Sequence, residues 1–316
     1  MPAVPRRALL ALGASAVVTA GLSVSGPSAA GPRGVLRLAA GPEGGPYRTF
    51  GQRLAEEVHR AHPGLTVEVL STPASVRNLR LIGTGGAELG LALADSAADA
   101  VAGRAGFARP VAVAALARLY LNHLHLVVPA GSPVLAMSQL AGLRVSLGAE
   151  ESGTSVVAER ALAASGVPVE ARLLGTAESV AALRAGELDA FFWSGGVPTP
   201  AIAELAARTP VRLVPLEAVA ALLRRAYGPV YESVSIPAGS YRQPAPTPTV
   251  GTPSYLLAAA GLDDEVVRAV TEVLFRRRDD LLAPDAPGSR LDERYAIGTG
   301  SVPLHPGAVA YYRSVY

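Results

Sequence analysis

From residue 35 onward, short apolar β-type runs alternate with stretches in which apolar side chains return every three or four positions. That alternation predicts βα units around a mostly parallel sheet. Residues 35–40 form the first predicted strand and run into a glycine-rich turn, after which Phe50, Leu54 and Val58 share one helical face. Residues 65–70 form the next strand. Thr72 and Pro73 then read as the N-cap and first-turn proline of a helix carrying Val76 and Leu79. Residues 89–93 are apolar almost throughout and read as a buried strand.

A second set of units begins near Leu124, with strands predicted at 124–128, 144–147, 171–174, 190–193 and 211–214. Helices are predicted around 137–140 and at 156–165, 177–185 and 201–208, the second of them closed by Gly166. Residues 237–253, rich in Pro, Ser and Thr, read as irregular crossover chain. The last predicted helix, 264–275, ends at Arg276, Arg277 and Arg278, where cations complement the carboxyl-end dipole. A Pro- and Gly-rich tail follows and finishes in Tyr311, Tyr312 and Tyr316.

Residues 1–34 have a different character. Arg6 and Arg7 precede an acid-free run, 8–24, and a small-residue stretch with Ser28-Ala29-Ala30 as a cleavage site. This is the plan of a secretory signal peptide, with an uncleaved membrane anchor as the alternative. The expected location is extracytoplasmic. The next most apolar stretch, 111–128, is broken by Arg118, Asn122, His123 and His125, and reads as consecutive buried strand segments rather than a membrane span.

Composition removes several classes of chemistry. Of 316 residues, 50% are hydrophobic, enough for a substantial core in one large domain or two. There is no Cys, so thiol nucleophiles, disulfides and cysteine-ligated metals are excluded. All 28 basic residues are Arg; without Lys there is no P-loop lysine and no Schiff-base lysine. The net charge is only +2 and aromatics are 5%, which does not fit a nucleic-acid-binding surface.

Three turns carry candidate chemistry. Gly41-Pro42-Glu43-Gly44-Gly45-Pro46-Tyr47 joins a strand to a helix, where exposed amides attract anions; it is not a dinucleotide fingerprint. Gly148-Ala149-Glu150-Glu151-Ser152-Gly153-Thr154-Ser155 again precedes a helix and sets hydroxyls beside free amides, although Thr154 or Ser155 would serve equally as a plain helix cap. Ala190-Phe191-Phe192-Trp193-Ser194-Gly195-Gly196 ends a strand on the only Trp, which either walls a site or fills a core. His59 and His62 read as a solvated helix end, His123 and His125 as buried or capping groups, and Asp95 and Asp99 as a solvated pair one turn apart. No metal site, cofactor or catalytic residue is expected.

In order and spacing these motifs resemble the TAXI family of TRAP-transporter solute receptors. The resemblance rests on Gly44-Gly45-Pro46-Tyr47, Ser75-Val76-Arg77-Asn78-Leu79-Arg80-Leu81, Glu88-Leu89-Gly90, Leu119-Tyr120 ahead of Leu124-His125-Leu126-Val127-Val128, and Leu140-Ala141-Gly142-Leu143-Arg144-Val145-Ser146 with Ser152-Gly153-Thr154. It continues through Gly186-Glu187-Leu188-Asp189-Ala190-Phe191-Phe192, Val211-Arg212-Leu213-Val214-Pro215-Leu216, Ile236-Pro237-Ala238-Gly239-Ser240-Tyr241 and His305-Pro306-Gly307-Ala308.

The resemblance implies an α/β, two-lobed type II periplasmic-binding-protein fold with a hinge of two crossovers and a ligand cleft between lobes. The expected lobes are 35–123 with 233–316, and 124–232. It also implies capture of a small carboxylate-bearing solute, an amino acid such as glutamate or glutamine or an oxo or dicarboxylic acid, and delivery to a TRAP membrane permease. The ligand-binding residues implied are Gly45, Tyr47, Arg48, Ser75, Arg77, Asn78, Ser152, Gly153, Thr154, Ser155, Trp193 and Ser194. Arg48, Arg77 and the pair Glu150 and Glu151 depart from the family pattern; the arginines would add carboxylate pairing and the glutamates would favour an ammonium group. An enzyme on the same fold, or a sensor or adhesion protein without transport, are the competing classes.

Overall fold

The computed structural model describes residues 31–281 and 291–316. The signal-peptide reading of residues 1–34 therefore falls almost wholly outside the described residues. Among the described residues, no helix is long and apolar enough to cross a membrane.

The chain opens with β1 (Gly34–Ala39), α1 (Pro46–Ala61), β2 (Leu65–Leu70), α2 (Ser75–Gly83), β3 (Leu89–Leu93) and α3 (Ala94–Ala102). β1 lies between β2 and β3, parallel to both. A 17-residue strand, β4 (Val113–Pro129), then leads into a second set of elements. These are β5 (Arg144–Ser146), α4 (Gly153–Ser165), β6 (Glu170–Arg172), α5 (Thr176–Arg184), β7 (Ala190–Gly195), α6 (Pro200–Arg208), β8 (Val211–Leu213), α7 (Glu217–Tyr227) and β9 (Glu232–Ile236). The long β10 (Thr247–Ala259) leads back to α8 (Asp264–Arg276), α9 (Arg278–Leu281), α10 (Glu293–Ala296) and α11 (Pro306–Val315).

The strand path β2-β1-β3-β10-β4-β7-β5-β6 hides a division. β4 pairs with β10 from Val113 to His123, and from His123 onward with β7 and then β8. β10 pairs with β9 up to Gly251 and with β3 from Ser254. Both long strands thus change partners at the same level, near Asn122 and Gly251, and two α/β halves hang on that pair of crossovers. Each half is apolar on both faces of its sheet. Phe191 and Val127 pack on one side of the second half, Phe192 and Leu126 on the other, because successive strand residues point to opposite faces. This is why 190–192 is an uninterrupted apolar run. The fold is the mixed α/β, two-domain periplasmic-binding-protein-like arrangement, and residues Pro32–Tyr316 pack as one compact unit.

Several local expectations are replaced. Thr72 is not a helix cap: its hydroxyl accepts from the Ala74 amide at 3.0 Å and donates to Asn78, and α2 starts only at Ser75 after Ala74 adopts φ 91°. Residues 237–246 are irregular apart from the short turn at Ser240–Arg242, but 247–253 are not: they are the start of a crossover strand. β10 begins at Thr247, and Pro253 is accommodated beside a register shift, where a missing donor costs little. Ile236, Tyr241 and Val250 pack into the second half's cores, so the chain between 233 and 250 sits with that half and not with the first. The C-terminal tail contains α11, capped by His305 Nδ1, which accepts from the Gly307 amide at 3.2 Å, with Pro306 in its first turn. Tyr311 of that helix stacks on Phe275 at a ring separation of 5.6 Å, and Tyr312 meets the same ring edge-on at 5.7 Å.

Candidate functional site

The parallel strands of both halves point their carboxyl ends at a shared cavity, the position where open α/β sheets gather ligands. It encloses about 640 Å³ of empty space, open solvent included. The first half contributes the turn before α1, residues 73–75 and Leu93; the second contributes the turn before α4, Gly175 and Thr176, and residues 192–195. Asn122, at the crossover level of β4, lies between them.

Residues at the amino ends of α1, α2, α4 and α5 all line this space. The first amides of a helix have no intrahelical partner and carry its positive pole. Their use differs. In α2, the Val76 and Arg77 amides both donate to the Glu151 carbonyl of the second half, at 3.1 Å, so this helix end is taken up by a contact between halves. In α4, Ser152 accepts from the Ser155 amide at 3.1 Å, while the Gly153 and Thr154 amides have no acceptor among the described residues. The same holds for the Tyr47 amide in α1 and the Thr176 amide in α5. Among the described residues lining the cavity, none carries a formal charge.

The side chains around these amides are held from behind. Tyr47 Oη lies 2.6 Å from Ser254 Oγ on β10, and Asn122 Nδ2 donates to the same Ser254 Oγ, tying α1 to both crossover strands. Burial raises the Tyr47 phenol well above its ordinary value, so it stays neutral. Thr154 Oγ1 accepts from the Ser194 amide at 3.2 Å, and Ser194 Oγ is itself buried without a partner among the described residues. Trp193 Nε1 donates to Thr199 Oγ1 at 2.8 Å, and the Thr199 amide donates to Tyr241 Oη at 2.6 Å. Behind Tyr241 stands His125, whose Nε2 is 3.1 Å from Tyr241 Oη and whose Nδ1 faces the carbonyls of His123 and Trp193 at 2.9 and 3.2 Å. Two carbonyls at Nδ1 require the proton there, leaving Nε2 to accept from Tyr241. Burial, with His123 adding to it, pulls the His125 pKa down to about 3.

Of the residues expected in the site, Gly45, Tyr47, Ser75, Ser152, Gly153, Thr154, Trp193 and Ser194 line the cavity. Arg48 does not: it donates to the Val69 carbonyl at 2.7 Å and pairs with Glu43 at 2.9 Å. Arg77 lies on the half-exposed flank of α2, 3.9 Å from Glu151, whose carboxylate is bound more closely by Arg80. Asn78 is buried under the cavity floor, where Nδ2 donates to the Ala40 and Leu91 carbonyls at 2.6 and 2.7 Å. Ser155 turns back to donate to the Ser152 carbonyl at 2.9 Å. Glu150 is exposed. Asn122 and Thr176 also line the cavity, and Tyr241 and His125 support it from behind; the sequence signals Asn122 and His125 only as polar interruptions of the apolar run 111–128 and gives no local signal for the other two.

Asp95 and Asp99 are buried rather than solvated. Arg160 of α4 donates to Asp99 and lies 3.6 Å from Asp95, while Tyr231 donates to Asp95 at 2.7 Å. Burial raises the Asp95 pKa above the usual carboxylate value. Among the described residues, no cluster of His, Asp and Glu is arranged to hold a metal.

Structures similar in general shape include the periplasmic aliphatic sulphonate binding protein SsuA from Escherichia coli, at 15% identity over 88% of this chain and 78% of that one, TM-score 0.46. Another is a TctC solute binding protein from Polaromonas, at 17% identity over 89% and 97%, TM-score 0.49. The alkanesulfonate-binding protein SsuA from Xanthomonas axonopodis pv. citri, bound to MOPS, matches at 16% over 90% and 85%, TM-score 0.48. None of these likenesses assigns a ligand. The NMT1-like family model matches residues 38–315, nearly the whole described chain, and the protein belongs to that family.

Proposed function

We propose that the protein is an extracytoplasmic solute-binding receptor that holds a small carboxylate-bearing solute between its two halves and presents it to a membrane permease. The observation that carries this reading is the cavity itself: it lies between the two halves that the β4 and β10 crossovers connect, and unpaired amides of α1, α4 and α5 line it beside hydroxyls and an aromatic wall. Amides and hydroxyls held in place suit a carboxylate, and the apolar walls suit a short carbon body. Rotation about the Asn122 and Gly251 level would open the cavity and closure would bury the solute.

The motif order that resembles TAXI receptors supports a TRAP-type permease as partner, and the features of residues 1–34 support export. The reading includes no catalysis. The described residues lining the cavity include no His, Asp or Glu to serve as a general base beside the hydroxyls, which an acyl- or group-transfer enzyme would need.

A thermal-shift screen of the full chain against carboxylates, sulfonates and sugars tests the proposal, with recovery of the solute by mass spectrometry. A ligand that binds only the folded state adds about 2.7 kcal/mol at a hundredfold excess over Kd. Stabilisation by a carboxylate recovered unchanged is the expected outcome. Consumption of the solute would point to an enzyme instead, and stabilisation by sugars alone would contradict the carboxylate class.

A further inference from the structure

Resting on that receptor reading, we infer that Gly195 and Thr199 are positioning residues for the Trp193 indole: they hold it back against the second half and so set how long a solute the cavity admits. Trp193 and Gly195 stand two residues apart on the same face of β7, and both line the cavity. The nitrogen edge of the indole lies against Gly195. A Cβ at 195 would come within 2.5 Å of Trp193 Nε1 and 2.7 Å of its Cε2 and Cζ2. Gly195 has no left-handed φ, so its backbone does not call for glycine. Glycine weakens a strand, and its place here is explained by the close approach of the ring.

Thr199 fixes the same edge through its hydroxyl. That hydroxyl donates to the Gly196 carbonyl at 2.7 Å, so its one hydrogen is spent and the oxygen is left to accept from Nε1 at 2.8 Å. Thr199 is itself buried and is pinned through its amide, which donates to Tyr241 Oη at 2.6 Å. Away from the cavity, Trp193 packs against a buried cluster that includes Leu183, Ile202 and Leu205, none of which lines the cavity. An indole pushed off Gly195 finds no room there, because a packed core yields poorly to added volume. The open direction is the cavity. Carbon atoms settle about 3.5–4.0 Å apart, so a methyl group at 195 would drive the ring edge about 1 Å into that space.

The test uses the full chain and the emission of Trp193, its only tryptophan. In the protein without added solute, Gly195→Ala and Thr199→Val are each expected to raise the acrylamide quenching constant at least twofold, whereas Thr199→Ser, which keeps the hydroxyl, stays at the wild-type value. Calorimetric titration with straight-chain monocarboxylates from propanoate to hexanoate then reads the room. In Gly195→Ala the affinity of the longest acid that binds the wild-type chain, relative to the shortest, is expected to fall about tenfold or more, the scale of one misfit carbon in an apolar site. In the Trp193→Ala background, Gly195→Ala should leave that ratio unchanged. If Gly195→Ala alone does not fold, folding restored by Trp193→Ala supports the inference and persistent failure overturns it. Unchanged quenching in Gly195→Ala, or an equal loss of affinity along the whole series, would overturn the inference and leave the receptor reading intact. Failure of every acid to bind the folded wild-type chain would overturn the carboxylate-receptor reading, and the quenching constants would still decide whether Gly195 and Thr199 hold the ring.

Discussion

Arg160 on α4 donates to the Asp99 carboxylate on α3, joining the two halves through a pair of charges that are both largely buried. The same guanidinium donates to Tyr231 at 3.0 Å and stands 4.5 Å from the centre of the Tyr227 ring. Among the described residues, neither Asp99 nor the adjacent Asp95 pairs with another buried cation; Asp99 is otherwise reached by the surface side chain of Arg104, at 3.7 Å. Removing one partner of such a group leaves uncompensated buried charge, at a cost of about 3–5 kcal/mol. Arg160→Ala should therefore lower the free energy of unfolding by about that amount in urea titration. A loss below about 1 kcal/mol, the range of a surface pair, would mean that the group is solvated in the free protein.

At Gly153 the two halves approach closely beside the cavity. A Cβ there would lie 2.5 Å from Ser75 Oγ and 2.7 Å from Leu93 Cδ1, both in the first half. Gly153→Ala should thus hold the halves apart. We expect solute affinity to fall at least tenfold while each half keeps its own core, so that far-ultraviolet circular dichroism is unchanged. Wild-type affinity in this variant would show that closure does not bring these groups together.

His125 makes stability depend on pH. Its folded pKa, about 3, lies below the ordinary value of 6.5, so between those limits the unfolded chain binds the extra proton. Stability from this group is full above pH 6.5 and is lost as pH falls toward 3. Between pH 7.5 and 5.5 the loss is about 1.4 kcal/mol, with His123, also lowered by burial, acting in the same direction. Denaturant midpoints at the two pH values check this, and His125→Gln should reduce the difference. An unchanged pH dependence in the variant would assign it to other groups.

Much of the frame is legible in the sequence, because a strand buried on both faces, such as Leu89–Leu93, shows as a short apolar run, and the edge strand Leu65–Leu70 shows as alternation, with Thr66 and Glu68 exposed between buried Leu65 and Val67. The turns before α1 and α4 were equally plain from glycine and hydroxyl content. What periodicity does not give is azimuth. Neighbours on a helix diverge by about 100°, so Tyr47 faces the cavity while Arg48 lies over the end of β2. Ser75 and Asn78 do share a face, yet Asn78 is consumed by two main-chain carbonyls beneath the floor. The spacing of Asp95 and Asp99 puts them together, but their partner, Arg160, is more than sixty residues further on, a contact no local pattern encodes. His125, Tyr241 and Thr199 were invisible for the same reason: their line of hydrogen bonds, which sets the Trp193 ring, exists only once β4, β7 and the 240–242 turn are assembled.

Trp193 is the only tryptophan of the chain and lines the cavity, so its emission reports directly on occupancy. Solute binding in this cavity is tested by a fluorescence titration of the full chain, and of Thr154→Val, with the acid that most stabilises the protein. Thr154 Oγ1 holds the Ser194 amide beside the unpaired amides of α4, so the variant keeps the volume and loses the polar contact. We expect a saturable change in Trp193 emission in the wild-type chain, at the concentrations that raise the melting temperature, and at least a tenfold weaker response in Thr154→Val. Stabilisation by the acid without any change in Trp193 emission, and indifference to Thr154→Val, would place the solute outside this cavity.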